Sequence, residues 1–296
     1  MPPTFRRVAL ALVAVLALSG CGSAIGGKGA PPPGPAAPRT SGPPKPDEGI
    51  PLEPDRLAAR LEATHGALGA AIDRWRAGRA TGAHPPRPVT LYALYEQRIY
   101  LALTARHRLT RAVTQRLHGQ VAAEARDVLD ARRRLSSLST PVARRHFRTG
   151  PAKPARALRR YYRRADRRFG ISWQVLAAVN FVESAFGRLR NESTAGAQGP
   201  MQFIPSTWRA YGMGGDIHDP HGAILGAANY LHASGAPGDY RRALHAYNPS
   251  SAYVDAVLRY ARRMRRSSDA FYALYSWQVF VNTHAGNTRI TGPGLH

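Results

Sequence analysis

The spacing of apolar residues along the first half of the chain predicts helices. Leucine and isoleucine side chains recur at helix-like intervals from residue 52 to 77 and predict one helix there. A proline-free run from residue 91 to about 138 follows, with apolar residues at four-residue steps and a bend expected at Gly119. Together these two stretches predict a helical hairpin or a small helical bundle.

The second half of the chain predicts further helices and one short strand. Asp219 followed by Pro220 has the pattern of a helix start, and Ser172 stands where an N-cap is expected. The stretch FYALYSWQVFV, residues 271–281, alternates loosely and contains β-prone residues, which predicts a strand near the C-terminus. The predicted helices cover residues 155–169, 172–186, 205–211, 220–233, 240–247 and 251–264.

The N-terminus has the layout of an export signal. A basic start is followed by an apolar run over residues 8–18 and by small residues before Cys21, the only cysteine of the chain. The segment LSGC resembles the bacterial lipobox, which implies that Cys21 is lipidated and anchors the protein to the membrane. The alternative is a simple cleaved signal with a chance cysteine. Residues 22–51 are rich in proline and glycine and predict a disordered linker.

The net charge of +24 indicates which classes of molecule the protein could bind. Nearly all of the positive charge comes from arginine, so a codon bias of a GC-rich genome is one explanation and attraction to polyanions is another. An exported protein that faces the cell wall would meet anionic wall polymers and lipids. Export disfavours nucleic acid as a partner.

One carboxylate stands out in the helix predicted over residues 172–186. Asn180, Glu183 and Ser184 form a polar stripe on an otherwise apolar helix, and Gly187 is expected to mark its end. Apolar neighbours and the negative end of the helix dipole both disfavour ionisation of Glu183 and raise its pKa. Such a carboxylic acid suits general acid catalysis. The alternative is an ion pair with Arg188 or Arg190.

The residues that follow Glu183 resemble the motifs of lytic transglycosylases. ESAFG is followed by GAQGPMQFIPSTW, residues 196–208, then by HAYNPS, residues 245–250, and by AYVDAVL, residues 252–258. The GAQGPMQFIPSTW stretch also resembles the form found in the membrane-bound B type. The resemblance spans roughly residues 155–264 and implies a lysozyme-like, mainly α-helical catalytic domain.

The resemblance also implies roles for individual residues. Glu183 matches the single catalytic acid/base, Ser184 a hydroxyl that contacts the sugar, and Tyr253 the tyrosine that hydrogen-bonds the catalytic carboxylate. Pro200 and Pro249 depart from the commoner forms of their motifs and leave the polar residues in place. The implied substrate-binding residues are Ser184, Met201, Gln202, Phe203, Tyr247, Asn248 and Tyr253.

The resemblance implies cleavage of peptidoglycan glycan strands without water, giving 1,6-anhydro-N-acetylmuramic acid ends. Two alternatives stay open: a hydrolytic muramidase on the same scaffold, and a catalytically silent wall-binding scaffold whose helical region recruits cell-wall or division proteins. No cofactor is expected. A metal site at His218, Asp219 and His221 is a minor alternative, because no HExxH motif or cysteine cluster supports it.

These expectations divide the chain into five segments. An export signal with a lipobox covers residues 1–21 and the disordered linker covers residues 22–51. A helical region at residues 52–150 precedes the lysozyme-like transglycosylase domain at residues 151–266, and residues 267–296 are expected to be a C-terminal tail.

The first prediction concerns the anchor. Replacing Cys21 by alanine removes the only site for lipidation, so the protein should move from the membrane fraction to the soluble exported fraction. Cell fractionation followed by immunoblotting measures the shift. A Cys21→Ala variant that stays in the membrane fraction would show that lipidation is not the anchor.

Overall fold

The computed structural model describes residues 42–78 and 84–295, so Cys21 and most of the predicted linker lie outside the described residues. The described residues are mainly α-helical. None of the helices in these ranges is long and apolar enough to cross a membrane. The helices are α1 Pro54–Ala77, α2 Arg87–Thr104, α3 His107–Thr114, α4 Gly119–Ser136, α5 Ala155–Phe169, α6 Trp173–Ser184, α7 Pro205–Tyr211, α8 Pro220–Ala233, α9 Tyr240–Tyr247, α10 Ser251–Arg266 and α11 Ala270–Ser276.

The proline-free run over residues 91–138 is broken into three helices rather than one bent helix. α2 ends at Thr104, and the Thr110 hydroxyl of α3 donates to the Leu103 carbonyl oxygen at 2.6 Å. The Leu103 carbonyl oxygen, in the last turn of α2, accepts this hydrogen bond in addition to the one from the Arg106 backbone N–H at 2.9 Å. Gly119, where a bend was expected, is instead the first residue of α4, with a left-handed φ of 55°.

The predicted C-terminal tail is folded into the protein, and the predicted short C-terminal strand is present but begins at residue 280, so that only residues 280 and 281 of the stretch 271–281 belong to it. Residues 270–276 form the buried helix α11, in which Phe271 and Tyr275 lie against Phe186 at ring distances of 5.6 and 5.8 Å. A short antiparallel hairpin follows, with β1 at Phe280–Thr283 and β2 at Gly286–Arg289. Seven residues are too few to separate helical from alternating periodicity, so packing decides the outcome.

The end of the predicted linker also packs on the helices. Arg98 of α2 donates to the carbonyl oxygens of Pro46 and Glu48, and the Tyr95 hydroxyl donates to the Gly49 carbonyl oxygen at 2.9 Å. These side-chain donors hold a segment that has few apolar groups of its own to bury. The segment around residues 46–49 is therefore ordered by α2.

One hydrophobic core joins the helical region to the predicted catalytic domain. It extends from Leu57 in α1 to Trp277 after α11, and α10 packs on α4 on one side and on α6 on the other. The helical region over residues 52–150 is thus packed directly against the helix that carries Tyr253.

A buried ionic network lies where α10 meets α2 and α4. Arg263 of α10 is fully buried and donates to Glu96 of α2 at 3.0 Å and to Glu124 of α4 at 2.8 Å. The Trp277 indole nitrogen donates to the second carboxylate oxygen of Glu96 at 3.2 Å, and His65 lies 3.3 Å from the first. Burial alone would raise the pKa of Glu96, but Arg263 and His65 outweigh it and lower the pKa to about 2.

The second prediction concerns this network. Glu96→Gln leaves Arg263 with one of its two anionic partners, and removing one member of a buried ion pair costs about 3–5 kcal/mol of unfolding free energy. Urea unfolding at pH 7 measures the loss. Asp73→Asn serves as the control, because Asp73 is exposed and lies 3.7 Å from Arg76 on the same helix, where such a pair contributes about 0.3–0.5 kcal/mol. Equal losses in the two variants would contradict the assignment.

The same network gives a pH dependence. The pKa of Glu96 is lower in the folded protein than in the unfolded chain, so its contribution is present above about pH 4.5 and is lost as the pH falls toward 2. The unfolding free energy of the wild-type protein should therefore fall more steeply over this range than that of Glu96→Gln.

Candidate active site

Helix α6 places Glu183 in its last turn, as the sequence predicts. The helix ends at Ser184, and the next two residues, Ala185 and Phe186, take left-handed φ values of 50° and 64° before Gly187. The helix is thus two residues shorter than predicted. Ser172 occupies the predicted N-cap position, although its hydroxyl donates to Gln174 rather than capping the helix. Left-handed conformations of non-glycine residues cost about 1–3 kcal/mol each and cluster at functional sites.

Burial controls the ionisation of Glu183. Its side chain is only 5% exposed, and burial raises its pKa to about 8, although the hydrogen bond that Tyr253 donates to Oε1 at 2.6 Å lowers it. The ion pair that was the alternative for Glu183 is not formed: Arg188 donates to the carbonyl oxygens of Ala185 and Tyr275, and Arg190 to that of Pro151. At neutral pH the acid is therefore mostly protonated, as the apolar flanks of the helix predict.

A hydrogen-bond network attaches the loop at residues 196–203 to α6. The Pro200 carbonyl oxygen accepts from the Ser184 hydroxyl at 2.6 Å and from the Asn180 amide at 2.7 Å. The Asn180 side-chain oxygen in turn accepts from the Tyr162 hydroxyl of α5 at 2.6 Å. The sequence predicted Asn180 on the polar stripe of the helix. It did not predict that Asn180 contacts Tyr162 and the Pro200 carbonyl group, because contacts between distant segments leave no local sequence pattern.

Ser184 has a structural position rather than the sugar contact that the resemblance implies. Its side chain is fully buried, and besides donating to Pro200 its hydroxyl accepts from the Gly187 backbone N–H at 2.8 Å. No surface of Ser184 is left for a sugar in this structure. Its hydroxyl instead holds the turn after Glu183 against the loop at residues 196–203.

Tyr247, the last residue of α9, fixes the same loop. Its hydroxyl donates to the Met201 carbonyl oxygen at 2.6 Å, one residue after the Pro200 carbonyl that α6 holds. Its ring lies 5.7 Å from Phe203 and 5.6 Å from Tyr230. Two successive carbonyl groups of the loop are thus fixed by side chains from α6 and α9.

The remaining predicted binding residues lie in or next to this loop, mostly with buried side chains. Met201 and Phe203 are 0% and 2% exposed and belong to the hydrophobic core. Gln202 has a left-handed φ of 49°, and its amide donates to the carbonyl oxygens of Asn191 and Gly199. Asn248 is buried at the end of α9, where its backbone N–H donates to the Leu244 carbonyl oxygen.

Gly199 allows a close approach between two protein loops. Its φ is 73°, and a Cβ atom at this position would lie 2.0 Å from the Ile217 carbonyl oxygen. The space that a glycine leaves for a close backbone approach is therefore filled here by the protein's own backbone, not by a ligand. Beside this contact lies a cavity of about 460 Å³, whose lining includes Gly187, Gly199 and Pro200 but not Glu183.

The other carboxylates near the site in sequence have structural partners or face solvent. Asp255 forms ion pairs with Arg134 at 2.6 Å and with Arg241 at 2.8 Å, and Glu192 is exposed. Asp219 accepts from the Gly222 N–H at 2.8 Å and caps α8, as predicted. Burial raises the pKa of Glu183 and the hydrogen bond from Tyr253 lowers it, with no contribution from a second carboxylate.

The metal alternative finds no support in the described geometry. Asp219 is occupied as a helix cap and the His221 ring packs 4.9 Å from the Tyr161 ring. Across residues 42–78 and 84–295, no group of three or more histidine, cysteine, aspartate or glutamate side chains is arranged to hold a metal ion.

A mainly helical, lysozyme-like domain with one buried, tyrosine-bonded carboxylic acid defines a class of glycan-cleaving proteins. Residues 160–269 match the family model described as Transglycosylase SLT domain. This match includes Glu183, the loop at residues 196–203, Tyr247 and Tyr253, and it confirms the resemblance to lytic transglycosylases over these residues. No curated protein and no solved structure matches the chain significantly.

The third prediction concerns the hydrogen bond between Tyr253 and Glu183. Tyr253→Phe removes a donor that favours the ionised carboxylate, so the pKa of Glu183 should rise above its value of about 8. A carboxyl carbon NMR titration, with Glu183→Gln to assign the signal, measures the change. Tyr247→Phe is the matched control, because the Tyr247 hydroxyl donates to Met201 and not to Glu183. A pKa that is unchanged or lower in Tyr253→Phe would contradict the geometry.

Proposed function

We propose that the protein is a peptidoglycan lytic transglycosylase that cleaves the bond between N-acetylmuramic acid and N-acetylglucosamine without water. The single observation that carries the proposal is the environment of Glu183. One carboxylic acid, buried and with a pKa of about 8, lies in the segment that matches the transglycosylase family. A group with this pKa is available as a proton donor at neutral pH.

In the proposed reaction Glu183 first acts as an acid. It donates its proton to the glycosidic oxygen, and the acetamido group of the substrate stabilises the positive charge that develops at the sugar carbon as the bond breaks. The carboxylate left behind keeps the hydrogen bond from the Tyr253 hydroxyl, which stabilises its negative charge in a buried site.

Glu183 then acts as a base. The carboxylate accepts the proton of the C6 hydroxyl of the same sugar, and the C6 oxygen attacks the sugar carbon to close a 1,6-anhydro ring. The proton that left Glu183 in the first step is thus replaced in the second, and water is neither consumed nor released. A raised pKa serves both steps, because the group is protonated before the reaction and basic after it.

The hydrolytic alternative needs a second carboxylate that activates water or attacks the sugar. Within residues 42–78 and 84–295, the candidates named from the sequence have other partners or face solvent: Asp255 is held by two arginines, Asp219 caps a helix and Glu192 is exposed. A mechanism with one carboxylate therefore accounts better for the site. The silent scaffold is disfavoured by the raised pKa of Glu183, which serves no structural purpose.

We also propose that the protein is exported and anchored at the outer face of the cell membrane through Cys21. The support is the layout of residues 1–21 and the small residues before Cys21. An enzyme in this position faces its wall substrate.

The fourth prediction tests the chemistry. Glu183→Gln should lower glycan cleavage by about 10²–10⁴-fold, because positioned acid–base assistance is typically worth that factor. Mass spectrometry of the products released from purified peptidoglycan should show anhydro ends for the wild-type protein, one water lighter than the products of a muramidase. Glu192→Gln is the control, since Glu192 is exposed and has no assigned step. Reducing ends in the product, or an equally inactive Glu192→Gln, would favour the hydrolase.

A stability measurement separates a chemical effect from misfolding. The folded-state pKa of Glu183 lies above its unfolded value, so its favourable contribution is complete below about pH 4.5 and is lost as the pH rises through about 8. The Gln variant does not titrate, so it should be at least as stable as the wild-type protein, with the difference growing from about pH 4.5 to about pH 8 and staying constant above it.

A further inference from the structure

Helix α5 carries a row of arginines that the fold does not use. Three of its arginines have partners within the protein: Arg156 donates to backbone carbonyl groups, Arg159 stacks over the Trp173 ring and Arg168 over the Phe169 ring. Four others are exposed and have neither an ion pair nor a hydrogen bond to any residue that the structure describes. We refer to these four as the α5 basic face: Arg160, Arg163, Arg164 and Arg167.

The α5 basic face is compact and directed away from the core. At 3.6 residues per turn the four side chains fall within about 100° of arc, and at 1.5 Å per residue they span about 10 Å along the axis. The opposite side of α5 carries Tyr162, which is fully buried and donates to Asn180. The positive charges therefore lie on the outer surface of the matched domain, away from Glu183.

Elsewhere in the described chain, arginines form ion pairs that join neighbouring helices. Asp127 of α4 pairs with Arg259, Arg262 and Arg266 of α10. On α5 the only acidic residue is Asp166, which accepts from the Trp173 backbone N–H. Like charges three and four residues apart on a helix repel one another and destabilise it, so a partner outside the fold is the simplest reason for this concentration of charge.

We propose that the α5 basic face binds a linear polyanion of repeating phosphodiesters, namely a polyol phosphate of the cell wall. Guanidinium groups bind phosphate oxygens in bidentate fashion, and a polymer with one charge in each short repeat can occupy several arginines within 10 Å. A glycan strand carries at most one peptide stem for each disaccharide and would present fewer charges to the face. The interaction is independent of glycan cleavage.

The surface chemistry disfavours a lipid bilayer as the occupant. Helices that lie on a membrane carry large apolar side chains beside their basic residues. In the described part of the chain the exposed large hydrophobic residues are Leu52, Met213 and Leu295, and none of them belongs to α5. The face is suited to a soluble polymer rather than to insertion.

The fifth prediction tests the face with two variants of equal charge. In the first, Arg160, Arg163, Arg164 and Arg167 are replaced by glutamine. In the second, four exposed arginines without ion pairs on four other helices, Arg108, Arg126, Arg209 and Arg265, are replaced in the same way. Both variants lose four charges from +24, so a difference between them reports position rather than net charge.

The probe is a fluorescein-labelled synthetic glycerol phosphate 12-mer, and fluorescence anisotropy of the full-length protein in detergent gives Kd between 50 and 300 mM salt. At 150 mM salt the α5 variant should bind at least 10-fold more weakly than the wild-type protein and show a smaller salt dependence, while the control changes less than 3-fold. Thermal unfolding of both variants checks that a loss of binding is not a loss of fold.

Three outcomes would overturn the proposal. Equal weakening in the two variants would mean that the net charge, not the face, attracts the polymer. A 12-nucleotide dT oligomer that binds at least 10-fold more tightly than the glycerol phosphate would move the assignment to nucleic acid. Binding of vesicles containing 30% anionic phospholipid that depends on the face, without binding of the 12-mer, would move it to the membrane surface.

Discussion

The buried charge of Arg263 is the constraint on which the arrangement of the described helices depends. A guanidinium group without exposed surface must be paired, and its partners Glu96 and Glu124 precede Arg263 by more than a hundred residues. Pairing this one charge brings α2 and α4 against α10. Because α10 also carries Tyr253, the helical region supports the helix that reaches Glu183, instead of forming a separate appendage.

The candidate site contains two features that lower the stability of the fold. A carboxyl group is buried at the end of an apolar helix, and two left-handed residues, Ala185 and Phe186, follow it. Both features cost free energy, and they accompany an acid whose pKa burial raises and a single hydrogen bond lowers. Ser184 and Tyr247 hold two successive carbonyl groups of the facing loop, so the wall of the site is rigid while Glu183 changes its protonation state.

The distribution of arginine separates structural charge from charge that is free to bind. Where α4 meets α10, each of the aspartates 127 and 130 pairs with more than one arginine, and the positive charges there contribute to packing between helices. On α5 the same residue type stands without acidic partners. A composition biased toward arginine can supply both sets. Composition by itself does not explain why arginines are paired with aspartates where α4 meets α10 but have no acidic partners on α5.

The sequence by itself determined most helices and singled out Glu183 as the candidate acid, because both depend on local information. The apolar flanks of Glu183 predict its raised pKa, and Asp219 followed by Pro220 predicts the start of α8.

Only the tertiary structure decided the rest. Residues 271–276 were predicted as part of a strand because the stretch alternates loosely and contains β-prone residues, but burial of α11 against Phe186 makes them a helix of the core. Ser184 was expected to meet a sugar, but the Pro200 carbonyl, brought close by the loop at residues 196–203, occupies its hydroxyl. Contacts of this kind join residues that are distant in sequence, and no pattern of neighbouring residues encodes them.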